Sequence, residues 1–232
     1  MILLIFDIDG TLVKPTTLED TAFLSAFCTA FGFENVDGDW SAYQNVTDSG
    51  ILAEAFQRQA GRPPMPSEVR RFRSAYETAL RSALTERPGE GGEIAGASVF
   101  IAGLAESGCR MAYATGNWRS VARLKLARAA LPHRDVPLAS ADDGMAREAL
   151  LRIAVERAMD RNGGEAFRSI LAIGDAPWDA RAAGALGMTF IGVGERWLRP
   201  GDWPCAGSIT DYTNGAAVRQ MIAELADSAA RS

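Results

Sequence analysis

Short apolar runs in this sequence repeatedly end in residues that can do chemistry. Ile2–Phe6 stops at Asp7-Ile8-Asp9-Gly10-Thr11, and Ile170–Ile173 stops at Gly174-Asp175-Ala176-Pro177-Trp178-Asp179. A third run, Met111–Ala114, ends in Thr115-Gly116-Asn117. Two carboxylates about 4 Å apart repel by roughly 4 kcal/mol at an effective dielectric near 20. Converging Asp7, Asp9, Asp175 and Asp179 would therefore take up protons or hold a cation. Oxygen ligands without nearby His or Cys select Mg²⁺ over zinc, and Mg²⁺ needs few protein ligands because it keeps several waters. A cation beside a free carboxylate and a hydroxyl suits phosphate, since neutralising the phosphate lets an anionic nucleophile approach. Carboxylates serve as such nucleophiles through an aspartyl-phosphate.

The rest of the chain must bring these three strand ends together. Ile2–Phe6 reads as a strand buried on both faces. Residues 16–88 read as all helix. A capping pattern at Thr17 precedes Phe23, Phe27 and Phe31; Thr47 or Asp48 caps a segment to about Gln59; Ser67 caps the stripe Val69, Phe72, Tyr76, Leu80 and Leu84. Pro88–Gly92 has linker composition. Helices then alternate with strands: a helix over Ala97–Glu106 before Met111–Ala114, and one over Val121–Ala130 before Val136–Ala139. Arg147–Met159 precedes Ile170–Ile173, and Asp179–Leu186 precedes Thr189–Val193. Such alternation implies right-handed crossovers and a doubly wound, mostly parallel α/β sheet. The expected division is an α/β core of 1–15 and 89–232 with a helical insert of 16–88, and Asp227–Ser232 frays. Ligands of such sheets collect at the carboxyl ends of the strands, where the aspartates stand.

Composition removes other chemistries. The 232 residues carry 29 acidic and 24 basic side chains, a net charge of −5, which argues against a nonspecific nucleic-acid binder. One histidine, His133, cannot supply a two-histidine metal site. The two lysines, Lys14 and Lys125, do not follow a glycine, so a G-K-[ST] phosphate loop is absent. Cys28, Cys109 and Cys205 are odd in number and widely spaced, as expected of reduced, mostly buried thiols in a cytoplasmic protein. No apolar run is long enough to span a membrane, and the first residues lack the basic region of a signal peptide.

Asp7-Ile8-Asp9-Gly10-Thr11 resembles the D-x-D-G-T signature of the haloacid dehalogenase-like (HAD) hydrolase superfamily. Thr115 is similar to its second motif and Gly174–Asp179 to its fourth, G-D-x-x-x-D. The insert resembles the helical cap placed between motifs one and two in its phosphatase branch, as in phosphoglycolate phosphatases. The resemblance implies a Rossmann-like core and residue roles. Asp7 is the nucleophile; Asp9 protonates the departing alkoxide and then deprotonates water. Mg²⁺ is held by Asp7, Asp175 and the backbone carbonyl of Asp9, with Asp179 ligating or supporting. Thr115, with Gly116 and Asn117, contacts the phosphoryl group, and Thr11 supports the loop.

One departure stands out. Relatives carry a lysine as third motif, but Lys14 is too near the nucleophile in sequence and Lys125 sits mid-helix, ten residues after Thr115. Arg147, at an expected helix start, is the substitute; its fixed charge and forked donors match phosphate oxygens. Thr47, Asp48 and Trp178 are candidates for touching the leaving group, against ordinary capping or packing.

The expected activity is Mg²⁺-dependent hydrolysis of a small-molecule phosphate ester, by a monomer or homodimer with no nucleic-acid or membrane partner. A phosphomutase of the same superfamily and a catalytically silent phosphate- or partner-binding module are the alternatives. A dehalogenase fits less well because Asp9 is intact.

Overall fold

The computed structural model describes residues 1–104, 107–198 and 204–229. The chain opens with β1 (Ile2–Phe6), followed by α1 (Thr17–Phe31), α2 (Asp48–Ala60) and α3 (Pro66–Glu86). Then come α4 (Ala97–Leu104), β2 (Cys109–Ala114), α5 (Arg119–Arg128), β3 (Leu138–Ala139) and α6 (Arg147–Arg161). The last third contributes β4 (Ser169–Gly174), α7 (Pro177–Ala185), β5 (Thr189–Val193), β6 (Gly207–Ile209) and α8 (Gly215–Ala229).

The strands form one sheet in the order β3-β2-β1-β4-β5-β6, every pair parallel. Alternation along β1 explains why no polar residue interrupts it. Leu4 and Phe6 pack on one face with Phe100, Val218 and Ile222, while Leu3 and Ile5 pack on the other with Leu150, Ala154 and Ala180. Phe6 lies opposite Tyr113 of β2 and Ile173 of β4, so the three strands end level. The sequence order reverses direction at β1, which makes this the switch point where a doubly wound sheet opens its crevice.

Four α-helices stand between β1 and β2, of which α1, α2 and α3 fall within residues 16–88. Thr16 caps α1, its hydroxyl accepting the Leu18 amide at 3.1 Å, and Gly32 ends the helix at φ +71°. The phenylalanine stripe of α1 packs on α3: Phe27 and Phe72 have ring centroids 4.4 Å apart, and Phe23 and Tyr76 5.0 Å. Trp118, Val121 and Ala141 from beyond β2 join the same apolar cluster, which fastens the insert to the sheet layer. Each such buried aromatic contributes about 1.5–3 kcal/mol.

Several boundaries differ from expectation. Helix α3 starts at Pro66, not Ser67, because proline at the first helical position needs no amide partner. β3 shrinks to two residues at the sheet edge. β6 and α8 were not anticipated, and α8 includes Asp227, paired with Arg168 at 2.8 Å, in a segment expected to fray. Residues 230–232, and Ala105 and Glu106 of the expected 97–106 helix, lie outside the described residues. The thiols are free, but of the three only Cys109 is buried and Cys28 is exposed on α1. Among the described residues no helix is long and apolar enough to cross a membrane.

Candidate active site

The turn after β1 separates the two aspartates of the first motif. The Leu12 and Val13 amides both donate to the Ile8 carbonyl at 2.9 Å, and Gly10 takes φ +70°. A Cβ on Gly10 would stand 2.2 Å from Asp175 Oδ2, so both the turn and the approach of Asp175 require glycine. With the chain out of the pleat, Asp7 and Asp9 no longer share one direction.

Asp7 points to the acidic end of β4. Carboxylate oxygens of Asp7, Asp175 and Asp179 lie within 4.8 Å of one another. Asp179 is fixed by the start of α7, where it accepts the Ala176 amide at 3.3 Å. Arg147, at the start of α6, donates from one guanidinium nitrogen to Asp7 Oδ1 at 3.0 Å and lies 3.2 Å from Asp179 Oδ1. Its Nε donates to the Val46 carbonyl of the insert at 3.1 Å.

Burial, and then Asp179, push the Asp7 carboxyl well above its usual range, with Arg147 pulling the other way. Asp175 is raised to about 7 by burial and by Asp179. Asp179 is raised by burial, with Arg147 opposing. Burial pulls Arg147 down, but Asp179 and Asp7 outweigh it and hold the guanidinium above its ordinary value. Crowded, desolvated carboxylates of this kind are what a hard divalent cation relieves, so the donor set fits Mg²⁺.

Asp9 turns the other way and meets a residue outside the expected site, Lys125 of α5. Lys125 Nζ donates to Asp9 Oδ1 at 2.8 Å, to Oδ2 at 2.9 Å and to Asn117 Oδ1 at 2.9 Å. It also pairs with Glu19 of α1. Glu19 in turn accepts from Tyr76 Oη at 3.1 Å and Asn117 Nδ2 at 3.2 Å. Burial and Asp9 raise the Glu19 carboxyl, while Lys125 lowers it. Replacing Lys125 by Met leaves two carboxylates facing each other in a largely dry setting, a change that costs about 3–5 kcal/mol when a buried pair loses one member. Because the Asp9 side chain is 30% exposed, the loss is expected near the lower end, about 3 kcal/mol, read from the urea midpoint.

A cavity of about 430 Å³ opens above these groups, floored by Asp7, Asp9, Asp175 and Arg147 and roofed by α1, α2 and α3. Gly116, Asn117, Thr47, Asp48 and Trp178 line it. Thr115 lies deeper: it is 1% exposed, and its hydroxyl accepts the Asn117 amide at 3.3 Å. Thr47 and Asp48 serve the joint between insert and core as much as the cavity. Thr47 Oγ1 caps α2 and donates to the Met145 carbonyl at 2.9 Å. Asp48 accepts the Trp118 amide at 2.7 Å while its own amide donates to the Gly116 carbonyl; burial and Glu19 raise its carboxyl to about 8. Thr11 is fully buried, and its hydroxyl has no partner among the described residues.

Sequence reasoning missed Lys125, Glu19, Tyr76 and Trp118. Tyr76 and Glu19 sat inside patterns already explained as a helix stripe and a cap. Trp118 directly follows Asn117 and holds Ser49 Oγ through its indole nitrogen at 2.8 Å. The scarcity of lysine was the one available signal for Lys125.

The sequence pattern of the haloacid dehalogenase-like hydrolases matches residues 2–187. A solved hydrolase from Pseudomonas syringae superposes with TM-score 0.70 at 19% identity, covering 93% of this chain and 97% of that one. CbbY from Rhodobacter sphaeroides in complex with phosphate gives 0.65 at 21%, covering 92% and 97%. An archaeal β-phosphoglucomutase from Pyrococcus gives 0.54 at 18%, covering 97% and 100%. At these identities the likeness concerns the fold. No curated protein matches the sequence.

Proposed function

Since the chain belongs to the haloacid dehalogenase-like hydrolases, we propose that it is a Mg²⁺-dependent phosphatase of small phosphate monoesters that works through an aspartyl-phosphate. The observation that carries this reading is the contact of Arg147 with both Asp7 and Asp179 beside Asp175, on the floor of a roofed cavity. A nucleophile, an acidic cation site and a fixed positive charge meet there at one point.

Asp7 attacks phosphorus, and the bond from phosphorus to the leaving oxygen breaks. Asp9 gives that oxygen its proton, then takes a proton from the water that cleaves the acyl phosphate. Mg²⁺ would be held by Asp7, Asp175 and the Asp9 carbonyl, with Asp179 ligating or supporting, and would supply neutralising charge to the phosphoryl oxygens. Arg147 stands in for the family lysine and binds those oxygens while balancing Asp7. Gly116 and Asn117 line the phosphoryl end, with Thr115 supporting their loop. Lys125 donates to both oxygens of the Asp9 carboxylate, so Asp9 turns from it to carry that proton. Residues 16–88 act as the cap that excludes bulk water and selects the leaving group. The free thiols suit a reducing, cytoplasmic setting.

Phosphate release from p-nitrophenyl phosphate tests the reading. Chelation with EDTA is expected to lower the rate at least about 100-fold, and added Mg²⁺ to restore it. Release that ignores metal, or none under any metal, overturns it.

A further inference from the structure

The cavity wall contributed by the helical insert constrains what can leave with the phosphate. From residues 16–88 the lining takes Thr16, Glu19, Asp20, Phe23, Trp40 and Tyr76 among others, and no Lys or Arg. Among the described residues, Arg147 is the lining's one such cation, and it sits beside Asp7, where the transferring phosphoryl group must go. Lys125 lies behind the wall, 6% exposed and engaged by Asp9, Glu19 and Asn117. Three insert arginines are turned elsewhere, Arg58 to Glu54, Arg62 to Glu68 and Arg73 to Asp142. On the core side Arg196 is near enough to Asp175 to lower its carboxyl but does not line the cavity.

Resting on the phosphatase reading, we propose that the substrate is a phosphate monoester whose leaving group carries no second negative charge and presents hydroxyls or an amine to Glu19 and Asp20. A carboxylate or second phosphate at this wall would lose water without gaining a cation and would face the Asp20 carboxylate, Glu19 being paired with Lys125. Hydroxyls and ammonium groups are donors, and both carboxylates accept. Asp20 is exposed at the mouth and accepts the Trp40 indole N–H at 2.9 Å. Trp40 and Phe23, with centroids 5.7 Å apart, form an aromatic corner beside it that can cover a sugar face or an ammonium. The volume, about 430 Å³, admits a leaving group of sugar size. The same wall disfavours a phosphomutase working through a bisphosphate, because the idle phosphate would find no Lys or Arg among the described residues of that wall.

Calorimetry on Asp7→Asn with Mg²⁺ present tests the proposal without turnover, using two pairs of esters. Glucose 6-phosphate is set against 6-phosphogluconate, and ethanolamine phosphate against phosphoglycolate. In each pair the member without the extra anion is expected to bind at least about tenfold more tightly, a gap that Asp20→Arg narrows at least about threefold. Equal or tighter binding of the anionic members overturns the proposal. So does binding of none of the four, or a gap indifferent to Asp20→Arg. Absence of phosphate release by the wild-type enzyme, with the binding order intact, would instead remove the phosphatase reading alone.

Discussion

Asp7→Asn is expected to lower kcat at least about 10⁴-fold while leaving the fold intact or more stable. Loss of an attacking group in an enzyme that uses covalent catalysis costs on this scale. Asparagine keeps the shape and can still accept from Arg147, but it cannot form the acyl phosphate. The stability half of the expectation follows from the crowding of Asp7 by Asp179 and Asp175 in a buried place. With its folded-state pKa above the unfolded value, the wild-type carboxyl binds its proton more tightly when folded. Metal-free protein therefore loses stability from this group as pH rises from the ordinary carboxylate range through the elevated value. The variant lacks that part of the slope. Kinetics with p-nitrophenyl phosphate and melting curves between acid and neutral pH, in EDTA, check both halves. Near wild-type turnover would show that position 7 is not the nucleophile.

Arg147→Met is expected to reduce kcat/KM by about 10³-fold, the scale on which a fixed charge or donor aimed at transition-state oxygens counts. Arg147→Lys should recover most of it, to within about tenfold of wild type, because a lysine supplies the charge without the fork. A second readout separates chemistry from support. Removing the guanidinium leaves Asp7 and Asp179 without their cation, so Mg²⁺ should bind the Met variant more tightly even as catalysis falls. A merely structural arginine would weaken folding and metal binding together. Steady-state kinetics beside Mg²⁺ titration by calorimetry distinguishes the two.

How much of this was legible in the residues depends on what kind of position each occupies. Asp7, Asp175 and Thr115 follow apolar strands, and parallel strands in register carry their next residues to one crevice; short-range pattern therefore sufficed. Asp179 was legible as the second acid of the run after Ile170–Ile173, although its helix starts two residues earlier than expected, and Arg147 as the first residue of a helix. Asp9 was expected to join the other carboxylates, but the turn at Gly10 sends it to Lys125. Lys125 was passed over, because a charge in mid-helix gives no sign of which partner the tertiary packing will bring. Its acid partner Glu19 lies 106 residues earlier, on a helix of the insert. α8 is a different failure. Val218, Ile222 and Ala226 recur at four-residue spacing and were readable, but no strand–helix alternation drew attention to them. The three-residue β6 is too short for any period to show, whereas the strand expected at Val136–Ala139 forms only over Leu138–Ala139.

The account rests on a phosphoryl group passing through the side chain at position 7. Wild-type enzyme mixed with Mg²⁺ and a rapidly cleaved ester, quenched in acid within the first turnovers and digested with pepsin at that pH, should yield the peptide containing Asp7 with one phosphoryl group. Hydroxylamine should remove it, and neither Asp7→Asn nor EDTA-treated enzyme should show it. Steady phosphate release with that peptide unmodified, or with the phosphoryl group on any other residue, would contradict the account.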